Sequence, residues 1–495
     1  MATRVNLYNT KRFKFAPNMN YRRLISSVVF LLIIAISITS GPGCANIIPP
    51  QGGPRDSIPP ILIKVTPGDS AKNFNSNKIN FSFNEFIDVQ NVQENLMVSP
   101  TPKNNPTIDF KLNTLTVKLK DSLEPNTTYS INFRESIKDF SEGNIMKGFT
   151  YIFSTGPFID SLKLQGKVVL AESGKVDSTL IVMLHTSADD SIIVKEKPRY
   201  ISRLDANGNF IFRNLPPKTF YLYALKDDGG SNRYFSDKQL FAFAEKPVTA
   251  NLNPDTVTLY AYATSTPVAQ QTSNNTSGLR IKTGGANADK RLKFQTNLLN
   301  NQLDLLSNFT ITFDNALRSF DTAQIHMYKD TTFIPVDSFR FEKDSSNKKI
   351  QLIHAWKENT VYHLVMDKDF AEDSSGKKLL KTDTVSFKTK KLAEYGSLKL
   401  KFRNLDITKN PVLQFLSSDK IVQSYVFGNS SEFLQTLFLP GEYELRILFD
   451  DNKNGKWDSG EFFGKHKQPE IVKIIERKIT VKPAWQNEFE IQTPL

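Results

Sequence analysis

Hydrophobic and polar residues alternate along most of the chain beyond about residue 60. The run KINFSFNEF places Ile79, Phe81 and Phe83 on one face. The run TLTVKL, which begins at Thr114, alternates in the same way. Such a period of two is typical of half-buried β-strands, whereas helical periodicity is nearly absent here. Turn clusters such as EPN, DANGN and DSSGKK separate the strands. The pattern predicts an all-β protein of antiparallel β-sandwiches.

The strand pattern also repeats within the chain. Three aromatic landmarks of an early module recur at similar spacing in a later one: Phe83, Tyr129 and Phe153, then Phe313, Tyr362 and Phe387. A second kind of module follows each copy, because NFIFRNLPPKTFYLYALKDD and EFLQTLFLPGEYELRILFDD align without a gap. This alignment pairs Phe210 with Phe433 and Asp227 with Asp450. The chain is therefore expected to have the order A-B, linker, A-B.

The predicted ranges follow from these landmarks and from shifts in composition. The linker is rich in Ser, Thr, Asn and Gly and poor in aromatic residues, so it cannot bury a core. The predicted parts are a signal peptide at 1–43, a Pro/Gly-rich stalk at 44–60, a first A domain at 61–157, a first B domain at 158–263, the linker at 264–288, a second A domain at 289–392 and a second B domain at 393–495.

The N-terminal segment has the composition of an export signal. A basic run precedes the apolar stretch LISSVVFLLIIAISITS, and GPGC follows it. The apolar core is about 17 residues long, at the short edge of what spans a bilayer, and Gly and Pro follow it directly. A cleaved signal is therefore favoured over a permanent anchor, with translation beginning at Met1 or Met19.

Cys44 is the only cysteine of the chain, which excludes an intramolecular disulfide. Its place directly after the apolar segment and a small residue resembles the lipidated first residue of a mature bacterial lipoprotein. The sequence departs from that pattern at Gly41, where lipoboxes usually carry Leu. The resemblance implies a cell-envelope protein, an outer membrane lipoprotein on the periplasmic or surface face, held to the membrane by its lipid. A plain signal peptide and an uncleaved anchor are the alternatives.

The net charge of +12 does not indicate nucleic-acid binding. The segment 1–43 contains six of the basic residues and no acid, so the remaining chain carries only +6. Beyond that segment there is no Lys/Arg-rich run with interleaved aromatic residues, and an exported protein rarely meets nucleic acid. The charge therefore points to no nucleic-acid partner.

The first A domain resembles the bacterial Ig-like domain of the S-layer-protein type, as found in exported lipoproteins. The resemblance rests on IPPILIKVTPGDSAKNFNSNKINFSFNEFID, LEPNTTYSINFRESIKDFSEGN and YIFSTG. The second A domain lacks the opening Pro pair and the closing Ser-Thr-Gly, so it is a degenerate copy. The B domains resemble prealbumin-like or carboxypeptidase-regulatory-like sandwiches through LDANGNFIFRNLPPKTFYLYAL. These resemblances imply spacing, display or binding rather than catalysis.

No catalytic signature accompanies these modules. The five histidines are scattered along the chain, and none forms an HxxxH or His-carboxylate cluster that would bind zinc: His185, His326, His354, His363 and His466. GxSxG, P-loop and dinucleotide-binding patterns are absent. The sequence therefore predicts no enzyme and no small-molecule cofactor.

The best candidate for chemistry is the run LFDDNKNGKWDSGEFF in the second B domain. It fills the ligand positions of an EF-hand-type calcium loop in order: Asp450, Asn452, Asn454, Lys456 through its backbone carbonyl, Asp458 and Glu461. Gly455 stands at the sharp turn. Ca²⁺ prefers such clustered oxygens, so the loop is a candidate structural calcium site. The alternative is a hairpin turn whose Asp and Asn bond to their own backbone and need no metal.

Two comparisons within the sequence refine this candidate. The equivalent loop of the first B domain begins at Asp227 but has Lys238 at the last ligand position, so it cannot bind calcium in the same way. A strand, not a helix, enters the second loop, and Pro469 argues against an exiting helix. The loop resembles those of calcium-binding B modules of bacterial surface adhesins, where a bound ion stiffens a hairpin and has no role in calcium sensing.

The sequence thus favours a lipid-anchored envelope protein of tandem β-sandwiches that acts as a structural, scaffolding or adhesive module. The alternative is a ligand-binding component of a surface assembly, for glycan or peptide, with other envelope proteins or glycans as partners. A glycan binder would display exposed aromatic platforms, and only three Trp residues exist.

Overall fold

The computed structural model describes residues 21–39, 55–264 and 291–493. The chain forms two compact units, Met1–Ile58 and Pro59–Leu495, and the first contains one described helix, α1 (Tyr21–Thr39). Among the described residues, no helix is long and apolar enough to cross a membrane. Cys44, most of the predicted stalk and nearly all of the predicted linker lie outside the described residues, so what was predicted of them stays a prediction.

The first A domain contains two antiparallel sheets and a short ribbon. Its elements are β1 (Leu62–Thr66), β2 (Lys78–Phe83), β3 (Ile87–Val89), α2 (Val92–Asn95), β4 (Met97–Ser99), β5 (Thr107–Lys111), β6 (Thr114–Lys118), β7 (Thr128–Arg134), β8 (Ile137–Asp139) and β9 (Phe149–Ser154). The sheets have the orders β1-β2-β6-β5 and β4-β7-β9, and β3 pairs with β8. Alternate residues face the core between the sheets, where Phe81, Phe133 and Tyr151 are buried.

The first B domain also has two sheets. Its elements are β10 (Leu162–Leu170), β11 (Leu180–His185), α3 (Ile192–Lys195), β12 (Tyr200–Arg203), β13 (Asn209–Leu215), β14 (Thr219–Lys226), β15 (Phe241–Phe243), β16 (Val248–Thr249) and β17 (Thr256–Ala261). One sheet has the order β13-β10-β17, in which β10 and β17 are parallel. The other has the order β12-β11-β14-β15, and β16 pairs with β14.

The second A domain repeats the layout of the first. Its elements are β18 (Phe294–Thr296), β19 (Gln302–Leu303), β20 (Phe309–Phe313), β21 (Leu317–Phe320), a 3₁₀ turn (Thr322–Gln324), β22 (Ile325–Lys329), β23 (Ile334–Pro335), β24 (Arg340–Lys343), β25 (Lys349–Ile353), β26 (Val361–Met366), β27 (Ala371–Asp373) and β28 (Asp383–Thr389). The sheets have the orders β18-β20-β25-β24 and β19-β28-β26-β22-β23, with the ribbon β21-β27.

The second B domain repeats the layout of the first B domain. Its elements are two 3₁₀ turns (Leu392–Glu394 and Ile407–Lys409), β29 (Gly396–Arg403), β30 (Pro411–Ser417), β31 (Lys420–Val426), β32 (Glu432–Phe438), β33 (Gly441–Phe449), β34 (Ile471–Val481) and β35 (Gln486–Gln492). The smaller sheet has the order β32-β29-β35, with β29 parallel to β35. The larger sheet has the order β31-β30-β33-β34.

These sheets confirm the all-β prediction. The repeated landmarks lie on equivalent strands, because Tyr129 is the second residue of β7 and Tyr362 is the second residue of β26. Their roles also match: the hydroxyl of Tyr129 accepts the Glu124 N–H at 2.8 Å, and that of Tyr362 accepts the Lys357 N–H at 3.2 Å. Each tyrosine therefore fastens the loop before its own strand. The boundaries between domains stay predictions.

Candidate metal-binding loop

The calcium-type sequence forms the start of the long connection between β33 and β34. Asp450 follows β33 directly, and its side chain is buried. One of its carboxylate oxygens accepts the Asn454 N–H at 3.2 Å, and the other accepts the Gly455 N–H at 2.6 Å. Gly455 has φ 75°, a left-handed conformation that glycine adopts without strain. Asp450 thus shapes the turn by the bonds expected of the first position of such a loop.

Two further predicted ligands, Asn452 and Asn454, lie around a third, Asp458. Its Oδ2 accepts the side-chain amide N–H of Asn452 at 2.5 Å and that of Asn454 at 2.6 Å. The amide oxygens of Asn452 and Asn454 face backbone N–H groups of the turn, at Asn454 and Lys456. The loop is therefore closed by hydrogen bonds of its own, two of which the neutral Asn amides donate to the Asp458 carboxylate.

Glu461 does not join this group. Its side chain is about half exposed, and its Oε2 pairs with the Nζ of Lys465 at 2.7 Å. Its backbone exchanges two hydrogen bonds with Lys467, at 2.8 and 2.9 Å, which closes a small turn. The structure thus gathers Asp450, Asn452, Asn454 and Asp458 and leaves the last predicted ligand outside.

Glu470 is a buried carboxylate of this loop that the sequence pattern did not single out. Its two oxygens accept the backbone N–H groups of Asp451 and Asp458, each at 2.9 Å. Its backbone carbonyl accepts the indole N–H of Trp457 at 2.7 Å, and its own N–H donates to the Asp458 carbonyl. Burial, together with the charges of Asp450 and Asp458, raises the pKa of Glu470 above its ordinary value, although the two backbone hydrogen bonds oppose this.

No spacing rule would have found Glu470, because it lies just before β34 and well beyond the length of an EF-hand loop. The only signal in the sequence is an acid directly before an apolar strand. Within the described part of the chain, no group of three or more His, Cys, Asp and Glu side chains is arranged to hold a metal ion.

The equivalent loop of the first B domain shows which part of the pattern serves the turn. Asp227 accepts the N–H groups of Ser231 at 3.1 Å and Asn232 at 2.7 Å, as Asp450 does in the second copy. The later acidic positions are missing there. An Asp at the first position is therefore explained by the turn alone, whereas the acid at the position of Asp458 is present only in the second copy.

The second half of the connection packs against the first B domain. Phe462 is buried in an aromatic cluster on the outer face of the larger sheet of that domain. Its ring centroid lies 4.9 Å from Phe243, 5.3 Å from Phe241 and 5.7 Å from Tyr223. Strand β11, LIVMLH, is accordingly buried at all six positions, because a core covers one face and this cluster covers the other.

Polar contacts surround the aromatic cluster. His466 Nε2 lies 2.8 Å from an Asp190 carboxylate oxygen, and the Gln468 side chain donates to the Phe243 carbonyl at 3.1 Å. The Val472 N–H donates to the Ala171 carbonyl at 2.9 Å. The connection from Asp450 to Glu470 therefore has two parts: a carboxylate-rich turn, and a segment that joins the two B domains. The second part could not be read from the sequence.

The histidines form no site of their own among the described residues. His185 is buried beside Tyr223, and its Nε2 has no hydrogen-bond partner there. Burial lowers the pKa of His185 to about 4. His354 Nδ1 lies 2.8 Å from the Ser338 carbonyl oxygen, and His363 Nδ1 lies 2.8 Å from the Ser386 hydroxyl, at separate places in the second A domain.

Comparison with known proteins places one domain in a family. Residues 56–155 match the family model described as a bacterial Ig-like domain. A search of curated proteins found no match.

Solved structures show only distant similarity to the chain. The Bacillus anthracis TIE protein is 11% identical, with a TM-score of 0.17, over 96% of this chain and 79% of that one. BcpA, the major pilin subunit of Bacillus cereus, is 8% identical, with a TM-score of 0.16, over 67% and 99%. The S-layer protein rSbsC(31-844) is 11% identical, with a TM-score of 0.16, over 86% and 67%. At these TM-scores the similarity does not bear on function.

Proposed function

Because residues 56–155 are a bacterial Ig-like domain, we propose that the chain is a structural or adhesive protein of the bacterial cell envelope. It spaces and holds other envelope components and performs no catalysis of its own. The observation that carries this proposal is the contact of Phe462 with the first B domain, which joins the two A-B halves of the chain into one body. A protein whose domains are fastened to each other in this way suits load bearing and display.

The mechanical part of this proposal can be tested by stretching single molecules. The full chain, held at its two ends, should resist separation of its halves before any domain unfolds. Phe462→Ala should abolish that first event and leave the later unfolding events of the four sandwiches unchanged. Separation of the halves at negligible force in the unaltered chain would contradict the proposal.

The proposal includes a lipid at Cys44, which would hold the protein at the membrane. It is supported by the position of the only cysteine directly after the apolar segment and a small residue. Cells grown with radiolabelled fatty acid should label the protein, and Cys44→Ala should remove the label and release the protein from the membrane. A Cys44→Ala protein that is still labelled and membrane-bound would overturn lipidation at this position.

The proposal also includes a structural calcium ion in the second B domain. The donors would all be oxygens, as Ca²⁺ requires, from Asp450, Asn452, Asn454, Asp458 and the Lys456 carbonyl. Glu461 would complete the set only by leaving its ion pair with Lys465. The gathering of Asp450, Asn452, Asn454 and Asp458 in one turn supports a cation near them. The bound ion would hold the turn at the base of the segment that contacts the first B domain.

Calorimetry with the full chain tests this part of the proposal. Ca²⁺ should release or absorb heat on binding, and Asp450→Ala should remove that heat. Asp227→Ala is the matched control, because it alters the same turn position in the first B domain, where the other acids are missing. No heat in the unaltered chain at millimolar Ca²⁺ would end the calcium hypothesis and leave the self-bonded turn as the function of these residues.

A further inference from the structure

A polar cleft lies between the first A domain and the first B domain. Its volume is about 870 Å³, within the ~300–1,000 Å³ of typical ligand pockets. One wall is the outer face of the sheet β4-β7-β9, and the other is formed by β10, β12 and β13. The cleft is separate from the carboxylate-rich loop of the second B domain.

Arg134 stands at the end of β7 on a β-bulge. The register of β7 and β9 shifts between Asn132 and Arg134, and Arg134 has φ 49°. A left-handed conformation is unusual for a residue with a Cβ, and bulges often redirect a side chain toward a functional site. The side chain is half-buried in the cleft wall, and one of its guanidinium nitrogens lies 3.9 Å from the Met97 sulfur. The backbone thus adopts a costly conformation at the residue that places a guanidinium in the cleft.

Positive charge is in excess around the cleft. Arg203, Arg213 and Lys147 line it with Arg134, and none of the four forms an ion pair among the described residues. Burial, and then the nearby charge of Arg203, lower the pKa of the Arg134 guanidinium, although the charge of Glu135 opposes them. The two guanidinium groups therefore repel each other, and Glu135 offsets this repulsion only in part.

The acids of the cleft do not balance these charges. Only Glu135 and Asp205 line it. The Asp205 carboxylate is already bonded within its own turn. Its Oδ1 accepts the backbone N–H groups of Asn207 and Asn209, each at 2.8 Å. A ligand with several negative charges would supply the negative charge that this wall lacks.

The remaining polar lining suits a saccharide. Small hydroxyl and amide side chains face the cleft from the strands: Ser99, Ser130, Asn132, Thr150 and Gln165. Such groups exchange hydrogen bonds with sugar hydroxyls. The aromatic residues of the lining, Tyr200, Phe210 and Phe212, are buried, so a saccharide would be held here by charge and hydrogen bonds and not by the exposed aromatic platform of a typical glycan binder.

The two walls are held in fixed positions. Arg199 of the first B domain makes a two-pronged ion pair with Glu124 of the first A domain, at 2.5 and 2.6 Å. The Thr101 N–H donates to the Arg199 carbonyl at 2.8 Å, and Arg203 donates to the Glu94 carbonyl at 3.1 Å. A cleft whose walls are already in place loses less entropy when a ligand binds.

We propose that this cleft binds an acidic oligosaccharide, whose carboxylates pair with Arg134 and Arg203 and whose hydroxyls bond to the Ser, Thr, Asn and Gln side chains. This goes beyond the structural role proposed above. It gives the first A-B pair a ligand, and it depends neither on calcium nor on the contact between the B domains.

Binding is tested with the full chain in detergent by calorimetry. The probes are hexasaccharides of galacturonate and of guluronate, with a glucose hexasaccharide as the neutral counterpart and hexaglutamate as an acidic peptide. At least one uronate should bind, and its affinity should fall steeply as salt rises. No uronate binding, equal binding of the glucose hexasaccharide, or equal binding of hexaglutamate would each overturn the proposal.

Variants then locate the site. Arg203→Gln and Arg134→Gln should each weaken uronate binding about tenfold or more, because each removes a charge-assisted pair. Arg203 is exposed, so its replacement tests the site even if Arg134→Gln disturbs the bulge. Arg318→Gln, an exposed arginine of the second A domain, is the control and should leave affinity unchanged. Unchanged affinity in Arg203→Gln would overturn the placement.

Discussion

The ring of Phe462, from the second B domain, lies 4.9 Å from the ring of Phe243 in the first B domain. This contact lies between two sandwiches that are separated in the sequence by the linker and the whole second A domain. The β33–β34 connection that contains Phe462 also contains the predicted calcium ligands. The same connection therefore combines a turn of metal-binding type with the joint between the two halves of the chain.

Removal of the Phe462 ring should destabilise this joint strongly. We expect Phe462→Ala to lower the free energy of unfolding by about 3–5 kcal/mol, as for other buried Phe side chains, because it leaves a cavity in an aromatic cluster. Phe463→Ala is the control, since that side chain is 43% exposed and should cost much less. Urea unfolding of both variants measures the difference. Equal losses of unfolding free energy in the two variants would show that Phe462 contributes no buried contact.

Gly460→Ala should disturb the same joint by a different route. A Cβ at this position would lie 2.7 Å from the Tyr262 ring of the first B domain and 2.9 Å from the Lys467 carbonyl, so one of them must shift. Overpacking of this kind costs about 1–3 kcal/mol. Gly428→Ala, with open space around it, should cost little. The midpoint of thermal unfolding compares the two variants, and an unshifted midpoint in Gly460→Ala would contradict the close approach.

Asp373 should make the stability of the second A domain depend on acid pH. Burial would raise its pKa, but hydrogen bonds from the Asn315 side chain and from the Lys377 and Ser375 backbone lower the pKa below 3.8. A carboxylate with a lowered folded pKa stabilises the domain above the unfolded value, about 3.9, and this stabilisation is lost as pH falls through the folded pKa.

Asp373→Asn should therefore destabilise the domain by about 1–3 kcal/mol at pH 6 and by less at pH 3. Asp369→Asn, which alters an exposed ion pair with Lys378, should change stability little at either pH. Urea unfolding at the two pH values is the measurement. The same loss at pH 3 and pH 6 in Asp373→Asn would refute the charge argument.

His185 should make the first B domain less stable in mild acid. Its pKa is about 4 in the folded chain and about 6.5 when unfolded, so unfolding binds a proton between these values. The stabilisation is full above pH 6.5 and is lost as pH falls toward 4, by at most about 1.4 kcal/mol per pH unit. His185→Phe should remove this dependence of the unfolding free energy on pH, whereas His326→Gln, at an exposed histidine, should keep it. Identical slopes in His185→Phe and the unaltered chain would contradict the burial.

Local patterns in the sequence were sufficient to predict the strands and the repeat. Alternation placed Phe81 in a core, and the spacing of Tyr129 and Tyr362 placed both at equivalent strand starts. The reason is physical: a strand with one buried face must alternate, and equivalent cores need equivalent side chains. The first loop ligand, Asp450, was also readable, because an Asp that caps a turn depends on residues close to it in the chain.

The partners that come from far along the chain were not predictable. Glu470 reaches the loop only because β34 returns to β33, and no ligand spacing describes that distance. Phe462 lies in a polar-looking loop, and its burial depends on the surface of another domain. Arg134 gave no signal either, because its left-handed backbone arises from a bulge that only the pairing of β7 with β9 creates.

Cleavage of the linker tests the central claim most directly. A protease site placed between Asn274 and Asn275, in the full chain in detergent, lets the two halves be separated without changing any described residue. If the β33–β34 connection fastens the second B domain to the first, the cleaved halves should elute together in gel filtration at micromolar concentration, and Phe462→Ala should release them. Separate elution of the halves from the cleaved, otherwise unaltered chain would contradict the account.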